Sequence, residues 1–136
     1  MPEVRWTNAE EMKWVLFLSF LFSFPAYAED WYRVASSEQG DIYFVDLKSI
    51  IRVGNIVSYW SKGNYGQPTQ YGDMSSLGSY RVNCSTYESI IGLTYFYSEL
   101  DNGGERTSMV FPKNQNWRPI VPNTINASLS RFVCKR

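Results

Sequence analysis

Histidine is missing from all 136 residues. Its absence removes the usual general base near neutral pH, the triads built on it and the commonest transition-metal ligand. Net charge is missing too: 13 Lys or Arg balance 13 Asp or Glu. A neutral chain offers no electrostatic footprint for nucleic acid. The hydrolase elbow GxSxG does not occur, and neither phosphate cradle, GxGxxG or GxxxxGK[ST], is present. No apolar run approaches the ~20 residues a membrane span needs. Cysteine is scarce, with only Cys84 and Cys134.

What the chain has is apolar and aromatic. Hydrophobic residues make up 44% and aromatics 17%, including ten Tyr and five Trp. That suffices for one packed core, excludes a disordered chain and favours sheet. Residues 12–28, "MKWVLFLSFLFSFPAYA", read as a Sec-type secretory signal peptide. Lys13 is the positive start, Val15 to Phe24 the apolar run, and Ala26-Tyr27-Ala28 a small-x-small cleavage site. Glu3, Glu10 and Glu11 do not suit a basic leader, so residues 1–11 read as an upstream extension and Met12 as the start. Cleavage after Ala28 leaves 29–136 as a single near-neutral domain with no membrane span, in the periplasm or secreted to the cell surface. No cysteine stands at the cleavage site, so there is no lipobox.

Export places both cysteines in an oxidising compartment, where a disulfide is the default. A metal pair or reactive thiol would call for a third ligand or a CxxC spacing. A Cys84–Cys134 bridge closes a loop of 51 residues, which stabilises by about 4 kcal/mol in the chain-entropy model.

Period-2 alternation predicts strands at 30–37, 42–45, 56–62, from Tyr80 onward, 89–100 and 105–111. In the first, Trp31, Arg33 and Ala35 alternate with Tyr32, Val34 and Ser36. Tyr80, Val82, Cys84 and Thr86 share one face, which puts Cys84 on the apolar side. Gly54-Asn55 and Asp101-Asn102-Gly103-Gly104 read as hairpin turns. Pro112, Pro119 and Pro122 make the following segment irregular, pinned by Trp117. Asn123 or Thr124 caps a last helix with the stripe Ile125, Leu129, Phe132, Val133. Cys134 lies about half a turn off that stripe, so it reaches the sheet only if the helix frays or ends near Val133. The expected fold is α+β: an antiparallel sheet of about six strands, a C-terminal helix on one face, and a disulfide from helix end to sheet centre.

Two stretches invite a catalytic reading. Asp46, Lys48 and Ser49 resemble a lysine-activated serine, but a short exposed bend cannot desolvate a lysine, and Asp46 suits a turn. Asp101 and Glu105 are the nearest candidates for a glycosidase carboxylate pair, and read more simply as solvated turn residues. The sequons Asn83-Cys84-Ser85 and Asn126-Ala127-Ser128 are discounted, since Asn126 falls in a helix. The expectation is a non-enzyme with no cofactor and no metal. Residues 63–79 read as a loop whose Tyr65, Gln67, Tyr71 and Met74 form a candidate binding surface; the alternative is a mobile connection.

"YFVDLKSI" (43–50), "YRVNCSTY" (80–87) and "PNTINASLSRFVC" (122–134) together resemble the surface-adhesin E family of Gram-negative bacteria. The resemblance implies a small curved sheet, a short helix tied to it by the disulfide, no enzymatic activity, and binding of host proteins such as vitronectin, laminin and plasminogen, with dimerisation. Two departures stand out. The family's type member is a lipoprotein, and its loop before the Asn-Cys strand is basic, whereas 63–79 here holds no Lys or Arg. The functional expectation is an exported adhesin-like protein contacting a host matrix or serum protein, possible homodimers included. The alternative is a soluble periplasmic inhibitor or envelope accessory protein with an envelope partner.

Overall fold

The computed structural model of the chain describes residues 28–136; the expected leader over 12–28 lies outside them but for its last residue, Ala28. Eight strands and one helix follow in order: β1 Trp31–Ser36, β2 Ile42–Asp46, β3 Ile51–Val53, β4 Ile56–Asn64, β5 Ser75–Asn83, β6 Glu88–Tyr97, β7 Arg106–Val110, β8 Arg118–Pro119 and α1 Ile125–Cys134. All pairings are antiparallel, in the order β1-β2-β4-β5-β6-β7. β3 pairs with β4 and β8 with β6. The sheet is thus larger than the six strands expected, because strands of two and three residues carry no readable alternation.

The charged bend is an interruption in one path along β4. β2 pairs with residues 61–64 of β4 and β3 with residues 56–58, and Leu47–Ser49 form a 3-10 turn between them. Asp46 accepts from the Lys48 N–H (3.1 Å) and the Asp30 N–H (3.0 Å). The Ser49 hydroxyl donates to the Asp46 carbonyl and accepts from the Trp60 N–H, and Lys48 Nζ reaches the Ala28 carbonyl. The three side chains serve the bend, as expected of Asp at a turn.

Pleating sorts the strands into two faces. Val45, Val57, Tyr59 and Val82 turn inward and meet Ala127, Leu129 and Val133 of α1 and Ile120 in one buried cluster. β-branched valines fit a pleated surface, and each full burial of this kind contributes roughly 1.5–3 kcal/mol. Thr124, the second of the two expected caps, accepts from the Ala127 N–H. Asn123 instead takes a positive φ of 61° just before it. The helix ends on Cys134, so the bridge to Cys84 forms without fraying. Tyr32 stacks on Phe132, ring centroids 5.3 Å apart, and seals α1 to β1.

Three expectations need correction. β5 begins at Ser75, five residues before Tyr80, because the Ser75 hydroxyl is buried between the Glu99 carbonyl and the Asn102 N–H. The loop is therefore 65–74 rather than 63–79. β5 also ends at Asn83, whose side chain accepts from the Ser85 and Thr86 N–H groups and starts a turn. Cys84 stands in that turn, and the disulfide ties the helix to a strand end rather than to the sheet centre. A bulge between Arg33 and Ala35 moves Ala35 opposite Tyr43, off the face of Trp31 and Arg33.

Candidate binding surface

The loop 65–74 closes over the end of the sheet remote from α1. The Tyr65 N–H donates to the Met74 carbonyl and the Met74 N–H to the Tyr97 carbonyl, both at 2.9 Å. Inside this neck a tight turn forms: the Thr69 N–H donates to the Asp73 carbonyl, and the Gly72 N–H returns to the Thr69 carbonyl. Asp73 is buried and its carboxylate accepts from the hydroxyls of Thr69 and Thr107. That second bond fastens the loop to β7. The loop is closed by its own hydrogen bonds, and a buried carboxylate with two donors ties it to the sheet.

Tyr71 rides on this turn and is 78% exposed. Beside it lies a hollow of about 350 Å³ lined by Thr69, Tyr71 and Asp73 from the loop and by Phe96, Ser108 and Val110 from β6 and β7. Phe96 stands opposite Ser108 in the ladder, so the floor is sheet and one wall is loop. Past the hollow the whole of β7 is exposed. Met109, Val110 and Phe111 make a run of apolar side chains that are each at least half exposed.

The four expected surface residues separate. Tyr71 lines the hollow. Tyr65 is half-buried and bonded to Ser76; burial pushes its phenol above the ordinary value. Met74 is likewise half-buried at the loop's neck. Gln67 is exposed on the opposite shoulder, next to Gly66, whose N–H donates to Asp41. The sequence reading missed Phe96, Met109, Val110 and Phe111. The one signal available was the uncharged run Ser108-Met109-Val110-Phe111 in a strand otherwise open to solvent.

Neighbouring aromatics support the loop from below. The Tyr43 ring lies over Gly63, its partner across the ladder, where any Cβ would stand 2.8 Å from the ring. Tyr80 covers Gly78 in the same way. Burial pushes the phenols of Tyr43 and Tyr80 up to about 12.

The carboxylates weighed for catalysis hold other roles. Asp101 forms an ion pair with Lys62 at 3.2 Å and accepts from Asn64. The Asn64 hydrogen bond first, and Lys62 second, hold its carboxyl below the ordinary value. Glu105 is exposed on the turn. Among the described residues no three of His, Cys, Asp and Glu gather as metal ligands. The chemistry that the hollow and the strand beside it offer is apolar contact, hydroxyl hydrogen bonding and main-chain pairing.

The molecule is a small antiparallel sheet, clamped by one helix and one disulfide and carrying an open apolar hollow near one edge. Residues 31–135 match the family described as surface-adhesin protein E, and the chain belongs to that family. Membership implies an exported or cell-surface protein. The fold is also that of Haemophilus influenzae protein E. One crystal form is 20% identical with a TM-score of 0.56, covering 81% of this chain and 94% of that one. Protein E from non-typeable Haemophilus influenzae is 20% identical with a TM-score of 0.54, covering 82% and 80%. At such identity the likeness is one of fold. No curated protein sequence is significantly similar to the chain.

Proposed function

We propose that the protein is an exported, non-enzymatic binding domain that contacts a host extracellular-matrix or serum protein through Tyr71, the adjoining hollow and β7. The observation that carries the reading is the apolar hollow flanked by the exposed Tyr71 and Val110, with Met109 exposed on the reverse face of the same strand, in a member of an adhesin family. Scattered apolar residues on a surface need no explanation, but a contiguous patch rimmed by polar groups marks an interaction site. Tyrosine also supplies contact area at little entropic cost. Retention of the purified, oxidised protein on immobilised matrix and serum proteins, beside unrelated secreted proteins, tests it. Selective retention on the first set is expected, and equal retention on both rejects the reading.

A second reading is a periplasmic inhibitor or envelope accessory protein. The absence of cysteine at Ala26-Tyr27-Ala28 favours it, because an adhesin released without a lipid has no anchor of its own. Cell fractionation separates the two. Surface or medium material supports the adhesin, and protein confined to the periplasm supports the accessory role.

A further inference from the structure

The two edges of the sheet are not treated alike. β1 is broken by the bulge between Arg33 and Ala35, carries the exposed Arg33, and is flanked by α1 through the Tyr32–Phe132 stack. A bulge, an outward charge and a covering element are the devices by which sheets blunt an edge. β7 carries the first two at its start alone, where Arg106 is exposed and Thr107 is the extra residue of a bulge. Past that bulge Ser108, Met109 and Val110 run in simple register with Phe96, Tyr95 and Thr94. Among the described residues β7 pairs with β6 alone, so the main-chain groups on its outer side lack a strand partner.

The chemistry of that edge limits its occupant. A row of unpaired N–H and C=O groups is satisfied along its length by another extended main chain. Arg106 opens β7 and Lys113 follows it, and residues 107–112 between them carry no charge. Val110 and Ser108 face the hollow, with Phe96, while Met109 faces the other side. An incoming strand would thus lay alternate side chains toward the hollow and against Tyr71.

We propose that β7 binds a partner protein by strand addition, taking an extended, uncharged segment with β-branched or aromatic side chains at alternate positions, one of them seated in the hollow. The proposal rests on the protein-binding reading above and names the form the partner's segment takes.

The test uses the purified, oxidised protein and a fluorescein-labelled peptide of alternating valine and threonine, read by fluorescence polarisation. Saturable binding is expected. Methylating alternate peptide nitrogens on one edge removes the main-chain donors, and should weaken binding roughly tenfold or more, as should Val110→Lys. Val110→Thr, still β-branched, should retain binding, and so should Arg33→Ala on the opposite edge. Val110 is half exposed, so the lysine variant folds, which circular dichroism checks. No binding, or binding indifferent to both N-methylation and Val110→Lys, overturns the proposal. So does sedimentation that reveals self-association lost in Val110→Lys, since a second copy then occupies the edge. Retention on host proteins that is unchanged by Val110→Lys sinks strand addition and leaves the adhesin reading standing. Peptide binding without host-protein retention does the reverse.

Discussion

Lys62 is 8% exposed, with its ammonium 4.8 Å from the Trp31 ring centroid, 5.0 Å from that of Phe44 and 3.2 Å from Asp101. Its stem packs on the sheet face opposite α1, and the two rings and one carboxylate satisfy its charge. Lys62→Ala removes both stem and charge and should destabilise by about 1–3 kcal/mol in urea denaturation. Lys62→Met keeps the volume and should cost less. Asp101 is largely exposed, at 69%, so Asp101→Asn should cost well under ~1 kcal/mol after screening by solvent. Its carboxyl sits below the ordinary 3.8 when folded. Its contribution is therefore complete above that pH and fades as pH falls through the depressed value. The tyrosines act in the opposite direction. Burial raises the phenols of Tyr43 and Tyr80 from 10.0 to about 12, and that of Tyr59 further. Groups raised on folding lend stability that is complete below pH 10 and lost as pH climbs toward 12. An alkaline titration followed by tyrosinate absorbance and circular dichroism should display a class of phenols that ionises only as the sheet unfolds. Full ionisation with the sheet intact would contradict this placement.

At the scale of elements, local chemistry was legible and long-range satisfaction was not. The bend at Asp46, the hairpin at Gly54-Asn55 and the capped helix each carry their signal within a few neighbouring residues. The cap is testable: Thr124→Ala should destabilise by about 1 kcal/mol, with α1 the first element to lose amide protection. Ser75 to Ser79 read as loop because small polar residues look like turn chemistry. They are strand because Ser75 is satisfied by groups 24 and 27 residues away. β3 and β8 were too short to read. The loop was expected over 63–79 and runs over 65–74, and the hollow beside Tyr71 was not legible at all. Phe96, Ser108 and Val110 meet it only through cross-strand register, and an edge strand is a property of topology that no window of sequence contains.

The whole molecule is a meander fastened at one end and open at the other. The Cys84–Cys134 bridge spans a sequence separation of 50 and locks α1 over the strand ends, where Val57, Val82 and Val133 are fully buried. Reduction should lower stability by about 4 kcal/mol in the chain-entropy model. At the opposite end, loop 65–74 offers Tyr71, and β7 offers the edge that pairs with β6 alone among the described residues. Anchoring one end while presenting the other suits a domain that works by surface contact outside the cytosol, where disulfides persist. The most direct measurement is hydrogen–deuterium exchange of the oxidised protein, with and without a matrix or serum protein that it retains. New protection confined to residues 65–74 and 106–111 is the predicted result. Protection that instead falls on α1 or β1 and leaves β7 exchanging freely would contradict the account.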